Sequence, residues 1–198
     1  MKKLILILQF SLLALCTKAQ EHISFNGATF GCSRQEFAAA LGLDRDGKIT
    51  DHTHKNMYDR YFYEFGKLGK YTPNYYIHCS IKSHFVFECI AFFAVSNIEE
   101  EVSTFIKVFE EKYGGHIKED TNKLGYISNG YISEYKELFA LKYTIRRYSD
   151  NKPIGEIRIS VAPYSVNSWG GYIEITYRDY AAAKTAISEY NNIMNDIL

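Results

Sequence analysis

The chain has 198 residues and balances 23 basic against 23 acidic side chains, for a formal net charge of zero. A near-neutral chain without a basic block has no electrostatic footing for nucleic acid. Only three cysteines lie beyond residue 19, an odd number and too few for a disulfide-built scaffold.

The N-terminus reads as an export leader. Lys2 and Lys3 precede an apolar run from Leu4 to Leu15. Thr17 and Ala19 then place small residues at −3 and −1 for cleavage before Gln20. The run is too short to span a bilayer stably, and no later run reaches that length. Loss of residues 1–19 removes Lys2, Lys3 and Lys18, so basic residues fall from 23 to 20 and the net charge becomes −3. A rival reading places a lipid anchor on Cys16, but Leu15 is a poor fit to the small residue that a lipoprotein signal needs there. The expectation is therefore an exported domain spanning residues 20–198, in the periplasm or outside the cell.

Ile23 and Phe25 alternate in an extended opening segment that ends at Asn26-Gly27. Ser33 and Glu36 have the spacing of a capping box. A short helix of about ten residues follows, with Phe37, Ala40 and Leu41 on one stripe and Gly42 as its stop. Residues 43–55 are polar and turn-like. The aromatic run 57–65 favours a strand over a helix. Residues 75–81 and 84–95 predict a hairpin around Lys82-Ser83. Simple alternation puts Phe85, Phe87 and Cys89 on one face, and Val86, Glu88 and Ile90 on the other. Apolar residues on both faces of 90–95 mark a central strand.

Asn97 caps the strongest helical pattern in the chain. Glu99, Glu100 and Glu101 suit its dipole, and Val102, Phe105, Ile106, Phe109 and Tyr113 form its apolar stripe. Gly114-Gly115 ends it. Residues 124–132 are ambiguous. Strands follow at 138–146, with Phe139, Leu141, Tyr143 and Ile145 on one face, and around Ile157, Ile159 and Val161. A further strand carries Ile173, Ile175 and Tyr177. Asp179 then caps a final helix, with Ala183, Ala186, Ile187, Tyr190, Met194 and Ile197 expected toward the core. These elements predict an α+β fold, an antiparallel sheet with helices packed on one face. Strand–strand–helix units at 75–113 and 154–197 suggest a repeated β-β-α arrangement. No glycine-rich phosphate loop joins a strand to a helix.

Candidate chemistry is sparse. Asp44, Asp46, Gly47 and Ile49 resemble the middle of a calcium loop, but Gly42 and Thr53 occupy its two ends, where carboxylates are needed. His52 and His54 alternate near Asp51 and Asp59, which is two ligands rather than a zinc site. His78 and His84 would approach across the predicted hairpin, while His116 is isolated. Cys32, Cys79 and Cys89 are either buried free thiols or one disulfide plus a free cysteine. Glu99, Glu100, Glu101, Glu110 and Glu111 are better read as a solvated helix face. Glu156, Arg158, Glu174, Arg178 and Asp179 are placed to pair across a solvent-facing sheet. No catalytic, cofactor-binding or metal-binding residue, and no cofactor, is assigned.

Trp169, the only tryptophan of the chain, sits before Gly170-Gly171. It reads either as a core plug or as an exposed anchor, with Tyr164 and Tyr172 extending a binding patch.

Thr17-Lys18-Ala19-Gln20 resembles the leader endings of exported proteins from the Bacteroides group. The segment from His22 to Gly27, with Ser33, Glu36-Phe37 and Leu41, resembles the opening of uncharacterised secreted proteins of those bacteria. The segment from Tyr172 to Asp179 resembles their penultimate strand. The resemblance covers the two ends of the mature chain and implies a periplasmic or surface α+β protein, with no activity attached. The leading functional expectation is thus an exported, non-catalytic protein that binds a protein or glycan partner. The alternatives are a small secreted hydrolase or metal-dependent enzyme drawing on His52, His54 or His78, and a glycan-binding accessory module.

Overall fold

The computed structural model describes residues 22–43, 48–51, 58–120, 124–125, 135–137, 139–164 and 169–197. Its opening is a two-stranded hairpin, β1 (Ser24–Phe25) and β2 (Ala28–Thr29). Asn26 at φ 50° and Gly27 at φ 88° make the turn, the positive-φ pair that a two-residue hairpin loop requires. Helix α1 (Arg34–Ala40) follows. Its capping box is complete, with the Ser33 side chain on the Glu36 amide and the Glu36 side chain on the Ser33 amide. The helix spans seven residues and the chain turns at the expected stop, Gly42, whose φ is 69°.

The remaining strands are β3 (Lys48–Asp51), β4 (Tyr58–Tyr63), β5 (Asn74–Ser80), β6 (Val86–Val95), β7 (Ile117–Asp120), β8 (Leu124–Gly125), β9 (Tyr135–Lys136), β10 (Phe139–Arg146), β11 (Pro153–Pro163) and β12 (Gly171–Asp179). Helix α2 (Ile98–Tyr113) lies between β6 and β7, and α3 (Tyr180–Ile197) ends the chain. Eight strands form one sheet in the order β3-β4-β5-β6-β12-β11-β10-β7. Every neighbouring pair in it is antiparallel. The protein is thus an α+β fold in which helices pack against a large antiparallel sheet. The two strand–strand–helix segments meet at the β6–β12 seam, where Cys89 faces Tyr177 and Glu88 faces Arg178.

One face of the sheet holds the main core. Ile157, Ile159, Ile173, Ile175, Ala91 and Phe93 all join it, as do Phe37 of α1 and Phe105 and Phe109 of α2. The opposite face carries the alternate residues, among them Glu88, Arg158, Glu174 and Arg178. There α3 packs Ala182, Ala183 and Ala186 against Phe87 and Tyr58, in a cluster separate from the core. The helices are therefore divided, with α1 and α2 on the core face and α3 at a corner of the other. The divergence begins at Asp179, which is completely buried. It accepts hydrogen bonds from the amides of Ala182 at 2.8 Å and Ile23 at 2.7 Å and from Nδ1 of His22 at 3.1 Å. This cap leaves no linker between β12 and α3, whereas Ser96 and Asn97 separate β6 from α2.

Three local expectations are revised. The register shifts between His78 and Cys79, so that Cys79 pairs with Val86 while His78 pairs with Glu88. The extra residue, Phe87, breaks the alternation, as a β-bulge does. Val86 joins Cys89 in the main core, and Phe87 turns to α3. Second, α3 buries alanines rather than the expected longer stripe, and Ile187 is 38 % exposed. Third, residues 48–51, within the stretch read as polar and turn-like, form β3 and pair with β4; residues 117–120, which the sequence did not assign, form the other edge strand. Lys118, Glu119 and Asp120 supply the charge that discourages further pairing at an exposed edge.

Candidate functional site

The end of the sheet where β12 begins carries an aromatic rim. Trp169 is 75 % exposed and Tyr164 is 51 % exposed. Tyr164 meets Tyr172 edge-on at 4.7 Å between ring centroids, and Tyr172 stacks on Phe92 at 5.2 Å. Tyr164, Tyr172 and Phe92 are thus linked ring to ring, whereas Trp169 makes no ring contact among the described residues. Its backbone is held firmly, because the carbonyl of Trp169 accepts from the amide of Ile98 at 2.8 Å and that of Gly170 accepts from Tyr164 at 3.1 Å. Gly171 has no room for a side chain, since an added Cβ would lie 2.4 Å from the carbonyl oxygen of Ala162. The glycine that follows the Trp169 loop is therefore a packing requirement of the hairpin.

Phe65 belongs to the same end of the sheet and was not singled out from sequence. It follows β4, is 77 % exposed, and has φ 55°. A bulky residue in that region is a backbone outlier. Its amide donates to the side-chain oxygen of Asn74 at 3.3 Å. In sequence it looks like the last member of an aromatic strand. Only the turn at Gly66, whose space is taken by the Tyr75 ring, shows that it leaves the sheet. Three strand spacings, roughly 14 Å, separate β4 from β12.

A second feature lies on the core face. A cavity of about 560 Å³ opens between α2, the Asn26-Gly27 turn and the loop around Gly69. Phe105 and Phe109 form its roof, Ile175 and Tyr177 its floor, and Lys70 and Lys112 stand among its lining residues. Lys70 pairs with Glu101 at 2.7 Å, and the hydroxyl of Tyr71 also donates to that carboxylate. The Lys112 ammonium sits 5.1 Å from the Tyr113 ring centroid.

The candidate histidines do not converge. His78 is buried on the face opposite the core, stacked on Tyr58 at 4.3 Å. Its Nδ1 donates to Glu88 at 2.7 Å, and its Nε2 accepts from Nε of Arg60 at 3.2 Å. With both ring nitrogens engaged, neither is presented to a substrate or metal. His84 instead takes Asp59, at 3.4 Å, and His116 takes Glu110, at 3.0 Å. His52, His54 and Asp44 to Gly47 lie outside the described residues. Among the described residues, no three His, Cys, Asp or Glu side chains gather as a metal site.

The strand charges pair as their positions suggested, with different partners. Glu156 takes Lys142 at 2.8 Å, Arg178 takes Glu88 at 3.8 Å, and Arg158 forks onto Glu137 at 2.8 and 2.5 Å. Asp179 is instead the buried helix cap. Cys32, Cys79 and Cys89 are free thiols. Burial pushes all three thiols above their ordinary range, aided at Cys32 by Glu36, which disfavours the reactive thiolate.

No helix of the described residues is long and apolar enough to cross a membrane. No family model, no curated protein and no solved structure matches the chain. The described part is a globular α+β body with an aromatic cluster and, among its described residues, neither a metal site nor a disulfide.

Proposed function

We propose that the chain is an exported, non-catalytic protein that engages a macromolecular partner through the aromatic rim at Trp169, Tyr164 and Tyr172. The single observation that carries this reading is the 75 % exposure of Trp169 on a backbone pinned to α2. An exposed indole on a fixed backbone loses little conformational freedom on binding, and tryptophan and tyrosine dominate the energetics of protein interfaces. The leader pattern supports export to the periplasm or the cell exterior. The engagement of both His78 nitrogens supports a binding role over hydrolysis.

Trp169 is also the sole tryptophan, so its fluorescence reports on the rim alone. Envelope proteins of the host are passed over the immobilised protein and over its Trp169→Ala variant. A partner retained by the first should be lost from the second by about tenfold or more, the effect of removing a central anchor. Addition of that partner should shift the Trp169 emission to the blue and shield it from acrylamide. Equal retention by the variant, or an emission that ignores the retained partner, rejects the reading.

A further inference from the structure

We propose that the cavity beneath α2 is a binding site for a small amphiphile with an apolar body and a single anionic head, of the class of medium- or long-chain carboxylates. At about 560 Å³ it falls within the range of roughly 300–1,000 Å³ typical of small-molecule sites. Its walls are built mostly from rings and branched chains, including Phe25, Tyr71, Phe105, Phe109 and Ile175. The space follows from the packing of α2. Phe105 and Phe109 reach the sheet across their own length, and the ends of the gap are left to the Asn26-Gly27 turn and to Leu68 and Gly69.

Three observations specify the occupant. The lining residues include Lys70 and Lys112 but no carboxylate, so the cavity favours negative charge. Lys70 is already neutralised by Glu101; Lys112 has no carboxylate among the described residues and only the Tyr113 ring beneath it. Third, Tyr177 is only 6 % exposed and lines the cavity. Its phenolic hydroxyl offers a donor to a ligand oxygen. Lys112, Tyr113 and Tyr177 thus form a polar corner in an otherwise apolar chamber. This site is on the core face and does not involve the Trp169 rim.

The test is fluorescence titration of the purified protein with dansyl-undecanoate, followed by displacement with laurate, lauryl alcohol and lauryl-trimethylammonium. Saturable binding of one probe per chain is expected. Laurate should displace it about tenfold better than either the neutral or the cationic analogue, as one charge-assisted contact provides. Lys112→Glu should weaken the probe by about tenfold as well. Thr104→Trp, on the exposed side of α2, should fill the mouth and abolish binding with the circular dichroism and thermal midpoint unchanged. Absence of saturable binding overturns the proposal. Equal displacement by all three analogues overturns the anionic head, and full binding by the Thr104→Trp variant places the probe elsewhere.

Discussion

The two strand–strand–helix units, β5-β6-α2 and β11-β12-α3, share an order of elements but use different means of holding a helix. Helix α2 stands on Val102, Phe105 and Phe109, with Phe109 stacked at 5.9 Å on Tyr113 and 5.5 Å from the ring centroid of Tyr143. Helix α3 lies on Ala182, Ala183 and Ala186. Long rings bridge a wide gap and cannot fill all of it, which is why the cavity opens under α2. Alanine lets a helix approach closely and leaves little to fill. The caps differ in the same sense: the Asn97 side chain satisfies one amide at an exposed helix end, whereas buried Asp179 joins α3, the start of the chain and His22. One unit spends its side-chain volume around a chamber, and the other makes a strut.

That contrast breaks most visibly at Phe109. Phe109→Ala should cost about 3–5 kcal/mol in urea unfolding, the usual range for a buried ring, and should enlarge the cavity. A loss below about 2 kcal/mol would mean that α2 settles onto the sheet as α3 does, and the distinction would fall. Next comes Asp179→Ala, with an expected loss of about 3 kcal/mol from a removed cap and a stranded buried amide at Ile23. Asp179→Asn should recover part of it. Proteolysis of the Asp179→Ala variant should release α3 before α2; release of α2 first would contradict the assignment of Asp179 as the anchor of the second unit.

The smallest effect concerns the seam between the units. Burial alone would raise the carboxyl of Glu88. The hydrogen bond from His78, with the charges of Arg178 and Arg60, outweighs burial and holds it below the ordinary range. A carboxylate depressed by folding contributes stability that is complete above its unfolded pKa of about 4.3 and is lost as the pH falls through its lower folded value. Glu88→Gln should therefore cost up to about 2 kcal/mol at neutral pH and should flatten the acid limb of the stability curve. An unchanged acid limb in urea titrations from neutral pH into that range would remove Glu88 from the seam.

Much of this architecture was legible because its signals are local. Ser33 and Glu36 form their capping box with no help from distant chain, and Asn97 and Asp179 likewise cap within three residues. Alternation at Ile157, Ile159 and Val161, and at Ile173, Ile175 and Tyr177, survives because each strand lies flat between two antiparallel neighbours. Phe87 could not be placed this way. Its bulge is set by how β5 and β6 register against each other, and one extra residue reverses the faces on either side. Ile187 was misread for a related reason: a helical stripe is buried only as far as the sheet extends beneath it. In the candidate rim, Tyr164, Trp169 and Tyr172 were visible as aromatics around a glycine pair. Phe65 was not, because its departure from the strand depends on Tyr75 occupying the space beside Gly66.

The sequence by itself determined the longer strands, the helices with their caps, and the α+β class, since these follow from periodicities of two and 3.6 residues and from contacts within a turn. Tertiary structure alone decided that the two units share one sheet, that their helices leave to opposite faces, that His78 is enclosed by Glu88 and Arg60, and that Trp169 faces solvent. Each of those outcomes depends on groups far apart in the chain meeting at one place, and no local pattern encodes which of them will.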